Sequence, residues 1–227
     1  NIEQSQKEIK EKKTISLVIP CYNEEDGLPA TFRLVPKYID EIIVVDNNST
    51  DRTAEVAKKF GARVVKETKQ GYGWAYQRGL KEARGEIIVT ADADGTYPPQ
   101  KPAKIIDFLL KNNLDFVSCC RLPLKNKKAM EPLNLLGNYL LSIAMSFFVW
   151  RWIKDSQSGM WVFKREILPK LHLTSGDMAL SEEIKMEAIL NPEVKFAEYH
   201  IDYYPRVGDT KLIRWRHGIK NLLFLFK

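Results

Sequence analysis

The sequence predicts an α/β fold, a mostly parallel twisted sheet flanked by helices. Two observations carry this. Short runs of β-branched and apolar residues alternate with helical patterns through the first half of the chain, as they do in βαβ units. Three polar clusters each follow such a run: Tyr22-Asn23-Glu24-Glu25, Asp46-Asn47-Asn48 and Asp92-Ala93-Asp94. In open α/β sheets, ligands bind at the carboxyl ends of the strands. Three unrelated surface turns would not share that placement.

The elements follow in order. Thr14–Pro20 reads as a short buried strand and Glu41–Asp46 as a second. Asn48-Ser49-Thr50-Asp51 is a helix-start signal for a stretch running to Phe60. Arg63–Lys66 is a third strand, Gly73–Ala83 a helix and Glu86–Ala91 a strand. Pro98–Asn112 reads as helix and Asp115–Cys119 as a further strand. The second half differs. Residues 132–150 carry no charge, and Asn134, Asn138, Ser142 and Ser146 recur every four residues. That is a narrow polar stripe on a very apolar helix. The segment lies at the lower length limit for spanning a bilayer. A core helix is one reading; flanking Lys and Arg favour a membrane-interface helix. Glu182 and Glu183 start another helix, where acidic groups suit the positive end of the dipole. In Lys211–Lys227, Leu212, Trp215, Ile219, Leu222, Leu223 and Phe226 fall at helical spacing. This basic amphipathic helix either docks on the core or lies on a membrane. The expected organisation is a basic extension (1–13), one α/β domain (14–210) and the terminal helix (211–227).

Length and composition bound the class. The 227 residues, 44% hydrophobic and 28% charged, suit one globular domain that can bury a core. The net charge of +6 favours anionic partners: nucleotides, nucleic acid or an acidic membrane surface. No aromatic-interleaved RNA-binding signature accompanies the basic clusters, so nucleic acid is not expected. Cys21, Cys119 and Cys120 are odd in number and two are adjacent. No disulfide framework or metal-ligand spacing follows, and a reducing compartment is expected. No signal-peptide pattern is seen. The chain starts at Asn1 and stops on an apolar run, as a trimmed piece of a longer protein would.

The most informative stretch is Ile87-Ile88-Val89-Thr90-Ala91-Asp92-Ala93-Asp94-Gly95. Alternate side chains of an extended strand point the same way. Asp92 and Asp94 therefore leave the strand end on one side, and Gly95 lets the backbone turn. Paired carboxylates there suit a hard divalent cation that also binds a diphosphate; a turn with two solvated acids is the plainer alternative. His172, His200 and His217 have no partner pattern and receive no role.

With these residues in view, the chain resembles glycosyltransferase family 2, enzymes of the GT-A fold. The matching segments are Val18-Ile-Pro-Cys-Tyr-Asn-Glu-Glu25, Ile43-Val-Val-Asp-Asn-Asn-Ser-Thr-Asp51, Gly71-Tyr-Gly-Trp-Ala75 and Ala91-Asp-Ala-Asp-Gly-Thr-Tyr-Pro98. Within that family it is most similar to the polyprenyl-phosphate (dolichyl-phosphate) hexose synthases, through Ser118-Cys-Cys-Arg121, Asp155-Ser-Gln-Ser-Gly159 and Arg206-Val-Gly-Asp-Thr-Lys-Leu212. The resemblance implies a nucleotide-sugar donor, UDP- or GDP-hexose, bound by Pro20, Tyr22, Glu24, Asp46, Gly71, Gly73, Asp92 and Ala93. It implies a divalent cation, Mg²⁺ or Mn²⁺, on Asp94, and catalytic roles for Asp92, Asp94 and Asp155. The two glycines would allow the backbone close to the donor, or simply form a helix N-terminal turn. The chain departs from the pattern at Thr96, where mannosyl-transferring relatives often carry Gln, and at Asn47-Asn48, where an acidic residue is common.

A polyprenyl phosphate acceptor needs no general base, because its oxygen is already anionic near neutral pH. It needs cations, for which Arg121, Arg206 and Lys211 are the expected residues. Glu182 and Glu183 could act as base if the acceptor were a hydroxyl. The expected reaction is inverting hexose transfer to a polyprenyl phosphate by a peripheral protein at the cytoplasmic membrane face. The rivals are a family 2 enzyme with a soluble or other hydroxyl acceptor, a sugar nucleotidyltransferase and a basic nucleic-acid-binding protein. A nucleotidyltransferase would be expected to carry a glycine- and basic-rich loop after the first strand, where Cys21-Tyr-Asn-Glu-Glu25 is acidic.

Overall fold

In a computed structural model, which describes residues 13–98, 102–206, 221, 222 and 224, seven strands share one sheet. They are β1 (Ile15–Cys21), β2 (Glu41–Asp46), β3 (Arg63–Lys66), β4 (Ile87–Thr90), β5 (Phe116–Cys120), β6 (Trp161–Lys164) and β7 (Phe196–His200). Their order is β3-β2-β1-β4-β6-β5-β7. Only β6 runs against its neighbours, β4 and β5; the remaining pairs are parallel. The helices are α1 (Leu28–Leu34), α2 (Thr53–Lys59), α3 (Tyr72–Glu82), α4 (Pro102–Lys111), α5 (Pro132–Phe148) and α6 (Leu180–Leu190).

Both faces of the sheet are covered, which is why its central strands read as unbroken apolar runs. Ile15, Leu17 and Ile19 of β1 join Val44, Val89, Ile105 and Leu109 on one face. Val18, from the same strand, joins Ile43, Val45, Tyr76, Leu80, Trp161 and Ile184 on the other. The alternation along β1 is the pleat feeding two cores. The three cysteines are buried free thiols.

The topology gathers the motifs at one edge. Pairing of Cys21 with Asp46 and of Val18 with Thr90 brings the ends of β1, β2 and β4 side by side. Because β6 is antiparallel, the segment that precedes it, 155–160, arrives at that same edge. Cys120 pairs with His200, so Arg121 and the chain after β7 also emerge there.

The apolar helix forms as α5, and Ser142 and Ser146 of its polar stripe turn inward. Ser142 Oγ accepts from the Ser156 amide (2.9 Å) and Ser146 Oγ accepts from the Ile153 amide (2.9 Å). The outward face is apolar instead: Leu133, Leu136, Leu140, Ile143 and Phe147 are exposed, with Trp150 (89% exposed) and Trp152 beyond. Among the described residues no helix is long and apolar enough to cross a membrane. Most of the 211–227 helix, including Lys211, lies outside the described residues, as do residues 1–12. Asn221, Leu222 and Phe224 are helical, and Phe224 packs on the core.

Candidate active site

A cleft of about 360 Å³ opens at the carboxyl edge. The β1 end contributes Pro20, Tyr22 and Glu24, the β4 end Asp92, Ala93 and Asp94, and the start of α3 contributes Gly71 and Tyr72. Asp177, Met178 and Arg206 also line the cleft. Seven of the eight expected donor residues are gathered at or beside this cleft. Asp46 is the exception. It lies buried at the end of β2, where Oδ1 accepts from the Ser49 amide (3.0 Å) and shapes the turn. Gly73 sits beside the lining, in the first turn of α3. A Cβ at Gly71 or Gly73 would collide with the carbonyls of Gly176 and Ser175. The backbone that approaches these glycines is the protein's own loop. Gly71 also has φ +152°, a value that favours glycine.

Asp92 and Asp94 share the edge but not the environment. Asp92 Oδ1 accepts from the hydroxyls of Tyr76 (3.2 Å) and Tyr72 (3.4 Å). Burial of those two phenols holds them far above their ordinary pKa, so they stay protonated donors. Burial, and then the neighbouring Asp94 charge, push the Asp92 carboxyl up to about 7, against the pull of Tyr76, Arg206 and Arg121. Asp94 Oδ1 accepts from Thr96 Oγ (2.6 Å) and the Thr96 amide (3.0 Å). Thr96 therefore orients the carboxylate. Asp94 Oδ2 faces Arg206 Nη1 at 3.2 Å, and Arg206 Nη2 lies 3.2 Å from Glu24 Oε1.

This donor set fits a divalent cation. Two carboxylates that repel each other, one already facing a guanidinium, call for positive charge. Among the described residues no group of three or more His, Cys, Asp or Glu side chains makes a closed cage. A site with few protein carboxylates and room for other oxygen ligands suits Mg²⁺.

Asp155 and Arg121 occupy each other. Arg121 Nε and Nη2 make a two-pronged contact with Asp155 Oδ2 and Oδ1, both at 2.8 Å, and the Arg121 amide donates to Oδ2 (2.9 Å). Asp155 is fully buried. Burial alone would raise its pKa, but Arg121 and Lys185 outweigh it and hold the carboxyl below its ordinary value. Arg121 also lies over the Tyr203 ring. The pair welds the 155–159 loop to the end of β5 behind the cleft.

Lys185 was not singled out from the sequence. It is fully buried, and its Nζ donates to the carbonyls of Ser156 (2.6 Å), Ser158 (2.8 Å) and Asp155 (3.2 Å). Burial lowers its pKa to about 8. Ser181, Lys185 and Ala188 fall at i, i+4, i+7 on the buried face of α6, so the helical period could have flagged it. Glu183 accepts from the Thr174 and Ser175 amides and the Thr174 hydroxyl (3.0, 2.8 and 2.6 Å). It pins the loop that meets Gly71 and Gly73. Glu182 accepts from Gln157 Nε2 (2.5 Å). Burial pushes its carboxyl up to about 8, against Gln157 and Lys185.

Comparisons with known proteins agree with this architecture. The profile of Glycosyl transferase family 2 matches residues 16–171. The chain is 33% identical over 204 residues to a dolichyl-phosphate hexose transferase of Haloferax volcanii, covering 87% of this chain and 86% of that protein. It is 31% identical over 219 residues to a low-salt glycan biosynthesis hexosyltransferase of the same organism, covering 93% of this chain but 53% of the relative. The chain thus spans about half the length of that protein. Glucosyl-3-phosphoglycerate synthase from Mycobacterium tuberculosis, solved with Mg²⁺ and UDP, superposes with a TM-score of 0.77 at 23% identity, over 99% of this chain and 83% of that one. That likeness is one of fold. The chain belongs to glycosyl transferase family 2, and the sheet and cleft described above are its glycosyltransferase domain.

Proposed function

We propose that this domain transfers a hexose from a nucleotide-sugar to a polyprenyl phosphate, with inversion, at the cytoplasmic face of a membrane. The observation that carries the reading is the cleft itself: an acidic floor of Asp92, Asp94 and Glu24, with Arg206 seated on the last two. The similarity to a dolichyl-phosphate hexose transferase supports the acceptor class. A dolichol-phosphate mannosyltransferase from Pyrococcus furiosus is also similar, at 31% identity over 70% of this chain.

The base and ribose lie along Pro20, Tyr22 and Glu24. Gly71 and the Ser175–Asp177 loop bound the cleft on the α3 side. Asp94, oriented by Thr96, would hold a divalent cation. When bound, that cation offsets the charge that builds on the departing diphosphate. An acceptor phosphate oxygen attacks the anomeric carbon from the face opposite the diphosphate. The carbon–oxygen bond to the diphosphate breaks, and its electron pair leaves with the nucleoside diphosphate. One displacement inverts the anomeric centre. No proton need be removed, so no base is required. Glu182, the carboxylate a hydroxyl acceptor would call on, does not line the cleft and is occupied by Gln157 Nε2.

The apolar face of α5, with Trp150 and Trp152 beside Arg151 and Lys154, suits the headgroup boundary of a bilayer. A lipid phosphate would then meet the cleft at headgroup depth. The test is a thermal-shift panel of UDP, GDP and their hexose conjugates with and without Mn²⁺. One nucleotide should raise the melting temperature only with the metal. No shift with any of them would overturn the donor reading.

A further inference from the structure

Arg206 holds two carboxylates badly. A guanidinium grips a carboxylate best through two parallel N–H bonds, as Arg121 does with Asp155. Arg206 instead spends one Nη on Asp94 and the other on Glu24, each at 3.2 Å. Its Nε is buried with no partner among the described residues. An unmade bond from a buried charged donor is unfavourable, so this is a poor permanent seat for an arginine. The seat is nonetheless specific. The chain leading to Arg206 is tied to the Asp94 loop: the Tyr204 amide donates to the Thr96 carbonyl (3.0 Å), and the rings of Tyr203 and Tyr97 meet edge to face. Arg206 is thus held against the carboxylate expected to bind the metal.

We propose that Arg206 stands in for the divalent cation at Asp94, and that arrival of metal and donor diphosphate displaces it toward the acceptor phosphate. The inference rests on the function proposed above and adds an order to it. A guanidinium and a divalent cation cannot share Asp94 Oδ2 without strong like-charge repulsion. The arginine offsets part of the acidic floor's charge while no donor is present. Once displaced, its fork is free for a phosphate oxygen, including the Nε that now lacks a partner. Donor and metal then bind first, and the acceptor phosphate second.

The test measures metal binding directly, without turnover. Free Mn²⁺ is followed by its electron paramagnetic resonance signal during titration of the whole protein, with and without UDP. Arg206→Gln, which removes the competing charge, should bind Mn²⁺ alone roughly tenfold more tightly, the scale of one lost charge-assisted contact. Arg206→Lys, which keeps the charge, should stay within about twofold to threefold of the wild type. Geranyl phosphate, a soluble stand-in for the acceptor, should bind the wild type only when Mn²⁺ and UDP are present. Melting curves check that each variant is folded. Unchanged or weaker Mn²⁺ binding by a folded Arg206→Gln overturns the inference while leaving the metal-dependent function intact. Geranyl phosphate binding that ignores metal and UDP overturns it too. If Mn²⁺ binds neither protein, even with UDP, the metal-dependent function falls and this inference with it.

Discussion

Replacing Asp155 by Asn removes the charge from one side of the most buried ion pair in the described structure. Arg121 then keeps its full charge in a dry setting. It has lost one partner of a two-pronged contact whose N–O distances are both 2.8 Å. Breaking such a pair by removing one member is destabilising by about 3–5 kcal/mol. Lys185, which donates to three carbonyls of the same loop, loses a favourable charge as well, so the upper part of that range is expected. For a domain of this size each kcal/mol shifts the melting temperature by about 2–4 °C. The variant should therefore melt roughly 8–20 °C lower. Differential scanning calorimetry is the assay, with activity measured well below both transitions. The acid limb gives a second readout. The folded Asp155 carboxyl sits below its ordinary value. Its contribution is thus present above the unfolded pKa of about 3.9 and is lost as pH falls through the folded one. The Asn variant should lack that loss. The double variant Arg121→Met, Asp155→Leu should recover part of the deficit, because apolar replacement of a buried pair is often neutral. An Asp155→Asn protein that melts within 2 °C or so of the wild type would refute the reasoning.

Four further outcomes are expected. Asp94→Asn should keep the fold and lose at least about a hundredfold in turnover; a wild-type rate with the metal still required would count against Asp94. Glu182→Gln should flatten stability between pH 5 and 8. The carboxyl raised to about 8 contributes stability below its unfolded pKa of about 4.3 that is lost as pH rises through 8. Urea titrations at both pH values should show the wild type falling relative to the variant by a few kcal/mol. Gly73→Ala should destabilise the fold by about 1–3 kcal/mol, because its methyl would meet the Ser175 carbonyl; an unchanged melting curve would show that the loop yields freely. Replacing Leu136, Leu140 and Phe147 with Ser should reduce sedimentation with anionic liposomes, and high salt should weaken binding only in part; an intact chain left in the supernatant at low salt would remove the membrane reading.

Much of the fold was legible because the central strands are covered on both faces and carry their apolar residues in unbroken runs. β2 and β3 have the bounds expected from the sequence, and β1, β4 and β5 differ at their ends by a residue. β6 and β7 were not legible. Trp161-Val-Phe-Lys164 is four residues long, and its strand character comes from Phe116 and Ile88 on either side. α1, which opens Leu28-Pro29 after Gly27, is similarly too short to show a period. At the site, residues next to strand ends were found readily, since topology alone gathers them. Residues whose role depends on a distant partner were not. Nothing in Asp155-Ser-Gln-Ser-Gly159 reveals that its aspartate faces Arg121. Likewise, nothing local shows that Gly71 and Gly73 accommodate a loop a hundred residues on. The stripe of Asn134, Asn138, Ser142 and Ser146 was visible, but its direction was not. The two serines among these turn toward the protein because the 153–156 segment needs hydroxyl partners.

The acceptor class is the central claim, and one comparison tests it most directly. The purified protein, a labelled nucleotide-hexose chosen from the thermal-shift panel and Mn²⁺ are incubated with a polyprenyl phosphate and, in parallel, with the polyprenol of equal length. Label should pass to the phosphate and not to the alcohol, and the product should carry the anomeric configuration opposite to that of the donor. Equal transfer to the alcohol, or transfer only to a soluble hydroxyl acceptor, would contradict the account.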